Sequence, residues 1–160
     1  MHSSICIVKG GKTVGFKVKK AKNHECKEIQ KVLHKAHKEN VKQGFIFPVS
    51  KITRKDLLSK MKRDRYYVLK YNGKIIGVVA VKRRKKYWEI GSLAVKPEYK
   101  RKGLGSKLLW FAEKKVSSFG ASNVLLTTMR KHPTLPFYYM KQGYRPVRKQ
   151  KKWMIFQKKL

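Results

Sequence analysis

Gly103 and Gly105 close the stretch KPEYKRKGLG, immediately ahead of SKLL, where an apolar helical pattern begins. Without Cβ atoms at these positions, backbone N–H groups can approach a ligand closely. At a helix N-terminus they also point outward, with the positive end of the helix dipole behind them. A pyrophosphate suits that geometry, and Lys100, Arg101 and Lys102 add charge around it. The loop lacks the G-K-[ST] ending of a nucleoside-triphosphate P-loop. It also lacks the third glycine and the parallel strand–helix–strand setting of a dinucleotide fold.

Three other groupings carry chemical potential. Lys82, Arg83, Arg84, Lys85 and Lys86 form a cationic run flanked by Tyr87 and Trp88. Such a run is either a solvated turn or a place where phosphates are contacted and a base stacks on an aromatic ring. His34 and His37 lie three apart on a helical segment, a spacing compatible with a shared metal; no third ligand accompanies them, so they read as part of a charged exterior face and no metal is expected. Cys6 and Cys26 have no CxxC or zinc spacing and read as two free cytosolic thiols.

These groups need a scaffold, and the hydrophobic pattern supplies one. Ser4 to Val8 and Val14 to Lys20 read as strands around Gly10-Gly11, so that the first thirteen residues add an extra N-terminal strand. Asn23 is placed to cap a helix through about Asn40, with Cys26, Ile29, Val32 or Leu33, and Ala36 at helical spacing. Thr53 to Asp56 is a T-x-x-D capping box before Leu57, Leu58 and Met61. Tyr66 to Lys70 and Lys74 to Val81 form a hairpin about Asn72-Gly73, a pair that accepts positive φ angles. Trp88 to Val95 is a strand, Gly103 to Ser118 a helix and Asn123 to Thr128 a further strand. Pro133 and Pro136 open a short helix ending at Gly143; Tyr144 to Arg148 and Trp153 to Lys158 are strands. This order predicts one domain over 1–160, mixed α/β (α+β), with a largely antiparallel sheet and about four helices.

Composition narrows the function classes. There are 42 Lys plus Arg against 8 Asp plus Glu, a net charge of +34. A lysine-rich background would raise Glu as well, so the acid deficit is the informative part. Such a field concentrates polyanions and repels cations. The cations are spread over the whole chain, which points to a charged globular surface and not to a detachable arm. No apolar run approaches the ~20 residues of a membrane span. MHSSICIVKGGK lacks a cationic leader and a long apolar core, so a cytoplasmic location without membrane contact is expected. Nothing in the pattern chooses between a monomer and a homodimer.

The segment EIGSLAVKPEYKRKGLGSKLL, followed by a strand and FYYMKQGY, resembles the GNAT superfamily of acyl-CoA N-acyltransferases. Lys100 to Gly105 fits that family's Q/R-x-x-G-x-G/A signature except that Lys replaces the first Gln or Arg. Tyr138-Tyr139 followed by Gly143-Tyr144 matches its second landmark, an aromatic–Tyr pair ahead of Gly-aromatic. The resemblance is dense from Tyr66 to Tyr144, extends to Val14, and is silent on the first dozen residues.

The resemblance implies an acetyl-CoA-dependent N-acetyltransferase, with acetyl-CoA as co-substrate, a primary amine as acceptor and direct attack in a ternary complex. Its fold splays strand Trp88 to Val95 from strand Asn123 to Thr128. The pantetheine arm would pair with the backbone of Leu93, Ala94 and Val95. The pyrophosphate would rest on the amides of Arg101, Lys102, Gly103, Leu104, Gly105 and Ser106. A backbone N–H near Leu93 or Ala94 would face the thioester carbonyl and stabilise the oxyanion that forms there. The reaction needs a base for the ammonium proton and an acid for the departing thiolate. Glu89 resembles the glutamate that is general base in the histone-acetyltransferase branch; it also reads as a rim carboxylate paired with Lys or Arg. Tyr139 matches the family's tyrosine acid, or else packs as an aromatic; Tyr138 reads as the core member. His132 stands where many relatives carry a cofactor-contacting Asn, and either contacts the cofactor or merely precedes Pro133 in an exposed loop.

Charge then ranks the acceptors. Polyamines, aminoglycosides and lysine-rich tails are cations, which this chain repels unless its pocket is acidic. Amines carried by nucleic acid suit the field better: aminoacyl-tRNA, a ribosomal protein, or a modified base in tRNA, other RNA or DNA. Two other readings stand beside this one: a non-catalytic nucleic-acid-binding module on the same fold, and a general small-molecule or protein N-acetyltransferase.

Overall fold

The computed structural model describes residues 3–9 and 12–160, with side chains from Gly15 onward. The Gly10-Gly11 turn and the Cys6 side chain lie outside the described residues. Eight strands form one sheet: β1 (Ser3–Lys9), β2 (Lys12–Lys20), β3 (Arg65–Tyr71), β4 (Lys74–Arg83), β5 (Trp88–Val95), β6 (Asn123–Met129), β7 (Arg145–Lys149) and β8 (Trp153–Lys159). Their order is β1-β2-β3-β4-β5-β6-β8-β7. Every adjacent pair is antiparallel except β5 and β6, which are parallel. The Asn72-Gly73 turn between β3 and β4 has φ of 48° and 73°, the left-handed conformations that a tight hairpin demands.

Four helices cover the sheet: α1 (Cys26–Lys42), α2 (Arg54–Arg63), α3 (Leu104–Ser118) and α4 (Leu135–Lys141). Strands β3 and β4 are buried on both faces, so their side chains divide between two cores. Tyr66, Val68, Val78 and Ala80 pack with Ile29, Val32 and Leu33 of α1 and Leu57 of α2. Tyr67, Leu69, Val79 and Val81 pack with Leu104, Leu108, Phe111, Ala112 and Val116 of α3. Val32 and Leu33 of α1 are both buried, as is Val116 of α3. The close approach of α3 has a local cause at Gly77: a Cβ there would stand 2.9 Å from Leu108 Cδ1 and 3.2 Å from the Ala94 carbonyl oxygen.

Two helix starts illustrate the local chemistry. Thr53 caps α2 as its T-x-x-D pattern predicts, accepting the Asp56 N–H at 3.1 Å. Asn23 does not cap α1. Asn23–Glu25 forms a 3-10 turn, and the Glu25 carboxylate accepts the Lys22 N–H at 2.9 Å while pairing with Lys70. A carboxylate that both satisfies a free N–H and meets an ammonium outcompetes the neutral amide of Asn23.

Candidate active site

The site begins where the sheet opens. Strand β5 is parallel to β6 at one paired position, Glu89 opposite Leu125, and the strands then diverge. On its other side β5 stays paired with β4, but the register shifts between Val78 and Ala80. The extra residue is Ser92, with φ of 51°. This β-bulge turns the following backbone and leaves N–H and C=O groups of β5 facing the gap toward β6. Ser92 is steadied by its hydroxyl, 3.2 Å from the Tyr66 hydroxyl.

Beyond Val95 the chain passes a 3-10 turn (Pro97–Tyr99) and enters the glycine loop. Arg101 and Gly103 have φ of 61° and 72°, and Gly103 is the residue that precedes α3. Left-handed residues alternating with right-handed ones aim successive N–H groups at one side, which makes an anion-binding concavity. A Cβ at Gly103 would meet nothing within 4 Å, so glycine serves its φ there; a Cβ at Gly105 would stand 3.6 Å from the Tyr138 hydroxyl. Lys100 extends over the cleft and donates to the Ala36 carbonyl of α1 at 3.4 Å.

The far wall is α4. Tyr138, expected in the core, instead places its hydroxyl 3.1 Å from Ser106 Oγ at the loop. Tyr139 packs its ring against Tyr138, Tyr144 and Phe156. Its hydroxyl has no hydrogen-bond partner among the described residues, and burial raises its pKa well above the ordinary tyrosine value. It therefore holds its proton. Below it, Tyr144 donates to the buried Glu113 at 2.9 Å, and Lys158 meets the other Glu113 oxygen at 2.9 Å.

A polar chain closes the third side. The backbone N–H groups of Thr134 and Leu135 reach His132 Nδ1 at 3.2 and 3.1 Å, so that nitrogen accepts and Nε2 carries the proton. His132 Nε2 faces Asn40 Oδ1 at 3.0 Å, and Asn40 Nδ2 faces His37 Nδ1 at 3.2 Å. Donor and acceptor roles run in one direction, leaving His37 neutral and its Nε2–H without a hydrogen-bond partner among the described residues. Burial and the nearby Lys100 ammonium hold the His37 pKa down to about 4. His37 is thus not part of a charged exterior face. It continues the buried stripe of Ile29, Leu33 and Ala36 on α1 and tilts its ring against Phe47. His132 is likewise not in an exposed loop: it is buried and does not line the cavity, acting as a cap for α4.

These elements enclose one cavity of about 600 Å³. Leu93, Ala94, Val95, Lys100, Arg101, Gly103, Leu104, Gly105, Ser106 and Tyr139 all line it. Lys102 turns away, its ammonium 5.6 Å from the Tyr99 ring. His37, Asn40, Phe47 and Thr128 also line the cavity and were not anticipated; the signal for the first two was there, because α1 positions 29, 33, 36, 37 and 40 fall on one helical face. Thr128 is 1% exposed, and its hydroxyl has no hydrogen-bond partner among the described residues. The open strand pair and the loop amides together fit an extended chain ending in a pyrophosphate. No Asp or Glu lines the cavity.

Glu89 lies outside that lining, in ion pairs with Lys82 at 3.6 Å and Arg84 at 3.7 Å. Arg84 also binds the buried Asp64 at 2.9 Å. The basic run is thus divided by folding. Lys82 and Arg84 are committed to carboxylates, and Trp88 is 8% exposed, stacked on Phe119 with Arg83 and Arg65 over the rings. Its ring faces are covered, so Trp88 offers no platform for a base; Arg83, Lys85, Lys86 and Tyr87 remain exposed. His34 and His37 do not converge either, since His34 Nε2 meets the Ile52 carbonyl at 3.0 Å. Among the described residues no three His, Cys, Asp or Glu side chains come together, and no helix is long and apolar enough to cross a membrane.

Residues 35–144 match the profile of the acetyltransferase (GNAT) family. The chain belongs to that family. An S-alkylcysteine N-acetyltransferase of Bacillus subtilis is 37% identical over 87 residues, 48% of this chain and 49% of that protein. A tRNA(Met) cytidine acetyltransferase of Aeropyrum pernix is 40% identical over 60 residues, 37% of this chain and 8% of that protein. The chain therefore spans about half of one curated relative and under a tenth of the other. Among solved GNAT structures, a PaiA N-acetyltransferase of Thermoplasma acidophilum, crystallised with coenzyme A, superposes with a TM-score of 0.81 at 21% identity, covering 91% of this chain and 99% of that one. The ribosomal-protein-S18-alanine N-acetyltransferase of Escherichia coli gives 0.74 at 17%, covering 90% and 93%. At these identities the likeness is one of fold.

Proposed function

We propose that this GNAT protein transfers the acetyl group of acetyl-CoA to a primary amine carried by, or bound beside, a nucleic acid. The observation that carries the transfer reaction is the continuity of one cavity wall: a bulged, open β5 leads directly onto left-handed loop residues at the start of α3. The backbone of Leu93 to Val95 holds the pantetheine arm by strand-like pairing. The loop amides from Arg101 to Ser106, with Lys100 and Arg101, hold the pyrophosphate. Acetyl-CoA supplies an activated thioester carbonyl. The amine nitrogen bonds to that carbon, the C–S bond breaks, and the nitrogen loses a proton while the thiolate gains one. Tyr139, kept protonated by burial, is the donor to sulfur. Glu89, paired with Lys82 and Arg84 and reached through water, is the base that receives the proton from nitrogen.

The acceptor assignment rests on electrostatics. A cationic acceptor would enter a cavity without a lining carboxylate, inside a protein of +34. An amine embedded in polyanion meets the opposite field, and the tRNA-acting relative supports that reading. A second reading has its own support: the His37 N–H on the cavity wall would suit the carboxylate of a small amino acid, in keeping with the S-alkylcysteine-acetylating relative.

Acetyl-CoA consumption measured with tRNA, single-stranded RNA, duplex DNA, polyamines and S-alkylcysteines tests both. Acetylation of a nucleic-acid-borne amine at rates well above the free amines is the expected result. Turnover of a free amino acid, indifferent to added RNA, would replace the first reading with the second. RNA binding without any acetyl-CoA binding would remove the enzyme.

A further inference from the structure

Past Glu113 the chain contains no Asp or Glu, and folding gathers cations from this acid-free stretch at the mouth of the cavity. The loop that leaves β6 and the turn that joins β7 to β8 are in contact, because the Arg130 N–H donates to the Lys152 carbonyl at 2.8 Å. The turn is closed by the Gln150 N–H on the Trp153 carbonyl, also at 2.8 Å, with Met129 opposite Trp153 and Lys149 opposite Met154. Arg130, Lys131, Lys149, Lys151 and Lys152 are all exposed. Among the described residues none of the five forms an ion pair; the carboxylates of Asp64, Glu89 and Glu113 are each committed elsewhere.

This collar stands on an aromatic rim. Trp153 is half-buried and meets Phe47 edge-on at 6.1 Å, and Phe47 lines the cavity. Phe45, also half-buried, lies 4.9 Å from the His132 ring. Thr128 and Thr134, on either side of the Arg130–Lys131 loop, line the cavity as well. The cations are therefore continuous with the acceptor entrance. The 82–86 run, by contrast, lies at the opposite end of β5 and has lost two of its members to carboxylates.

We propose that the 130–131 loop and the 149–152 turn dock a single-stranded RNA segment, and that Phe45 and Trp153 receive its unpaired bases beside the cavity. The inference rests on the nucleic-acid reading of the acceptor and names its surface. Unpaired cations alone would suit any polyanion. Flat rings set among them suit a strand whose bases are free to stack, since a duplex presents only its phosphates to such a surface. Five cations placed together would displace counterions from several phosphates, so binding should fall steeply with salt.

The test uses the full chain and a labelled 12-nucleotide single-stranded RNA, with anisotropy titrations across a salt series. Lys131→Ala/Lys151→Ala/Lys152→Ala is compared with Lys27→Ala/Lys55→Ala/Lys114→Ala, which removes equal charge from exposed helix positions. The collar variant should bind at least 10-fold more weakly, with a log–log salt slope shallower by about two to three; the helix variant should keep most of its affinity. Trp153→Ala, with charge intact, should weaken the RNA and leave the slope unchanged. Equal losses in the two triple variants would overturn the collar, as would duplex DNA competing as well as the RNA. Acetylation assays with the wild-type protein and the collar variant separate the two claims. RNA acetylated equally well by the collar variant overturns the docking surface alone, whereas collar-dependent RNA binding with no acetylated RNA supports the surface and defeats the acceptor reading.

Discussion

His132 Nε2 and Asn40 Oδ1 lie 3.0 Å apart and join elements separated by 92 residues. This contact ties the start of α4, which carries both tyrosines, to the C-terminal half of α1. It also fixes the tautomer of His37, because each group in the chain can donate in one direction only.

Removing His132 should therefore act on both helices. His132→Ala leaves two backbone N–H groups and Asn40 without partners, a loss of about 2–3 kcal/mol, or roughly 5–10 °C in melting temperature. His132→Asn keeps one acceptor and one donor on a short side chain and should recover much of the loss. Thermal melts of the two variants check this; equal melting of His132→Ala and wild type would remove the capping role.

The depressed His37 pKa has a consequence for acid stability. Above the ordinary value of 6.5 neither the folded nor the unfolded chain protonates this ring. Between 6.5 and about 4 the unfolded chain takes up a proton that the folded one refuses. Stability from this residue is thus full above pH 6.5 and falls as pH drops toward 4, by a total on the order of 3 kcal/mol. The groups responsible are the enclosing wall, the Lys100 ammonium and His132. Glu25 and Asp64, whose pKa values are lowered by their cationic partners, add their own loss at the acid end. Urea titrations from pH 7 to 4.5 should show His37→Gln with a shallower decline than wild type; parallel curves would show the ring to be solvated.

Much of this arrangement was legible in the sequence, and the exceptions have physical causes. Asn72-Gly73 announced its hairpin because the turn is decided by two residues. The glycine loop was readable for the same reason. The mistaken or open placements all involve tertiary partners. His37 reads as exterior by residue type but falls on the buried stripe of α1. His132 reads as either a cofactor contact or a loop residue until Asn40, ninety-two positions earlier, arrives beside it. Trp88 and the 82–86 run leave a solvated turn and a binding patch both open until Phe119, Asp64 and Glu89 are seen against them. Tyr138 and Tyr139 are adjacent, and only the position of Ser106 decides which hydroxyl meets the loop. The collar at 130–131 and 149–152 was invisible because neither segment is a conspicuous cluster alone.

Substitution in the loop should separate conformation from bulk. Gly103→Val forces a β-branched residue to φ of 72°, and Gly105→Val drives methyl groups into the Tyr138–Ser106 pair. Each should weaken CoA binding by at least about tenfold, equivalent to ~1.4 kcal/mol. Isothermal titration with CoA reads this directly, and unchanged affinity in both would eliminate the pyrophosphate cradle.

The proton-transfer roles have a kinetic signature. Tyr139→Phe should lower turnover by about 10²-fold or more with little change in CoA affinity, because only the donor to sulfur is lost. Glu89→Gln should likewise lower turnover with little change in CoA affinity, because only the proton acceptor is lost. A variant with normal turnover removes that residue from the mechanism.

Thr128→Val is the sharpest test of occupancy. The hydroxyl is buried on the cavity wall without a hydrogen-bond partner among the described residues, so an isosteric methyl should leave folding stability unchanged or raise it slightly. If the hydroxyl bonds a group of the bound substrates, the same change should raise KM for acetyl-CoA or for the amine by roughly five- to tenfold, the worth of about one hydrogen bond. Stability and binding then move in opposite directions. A variant that is both more stable and equally active would mean that the hydroxyl meets only water, and that the substrates pass it by.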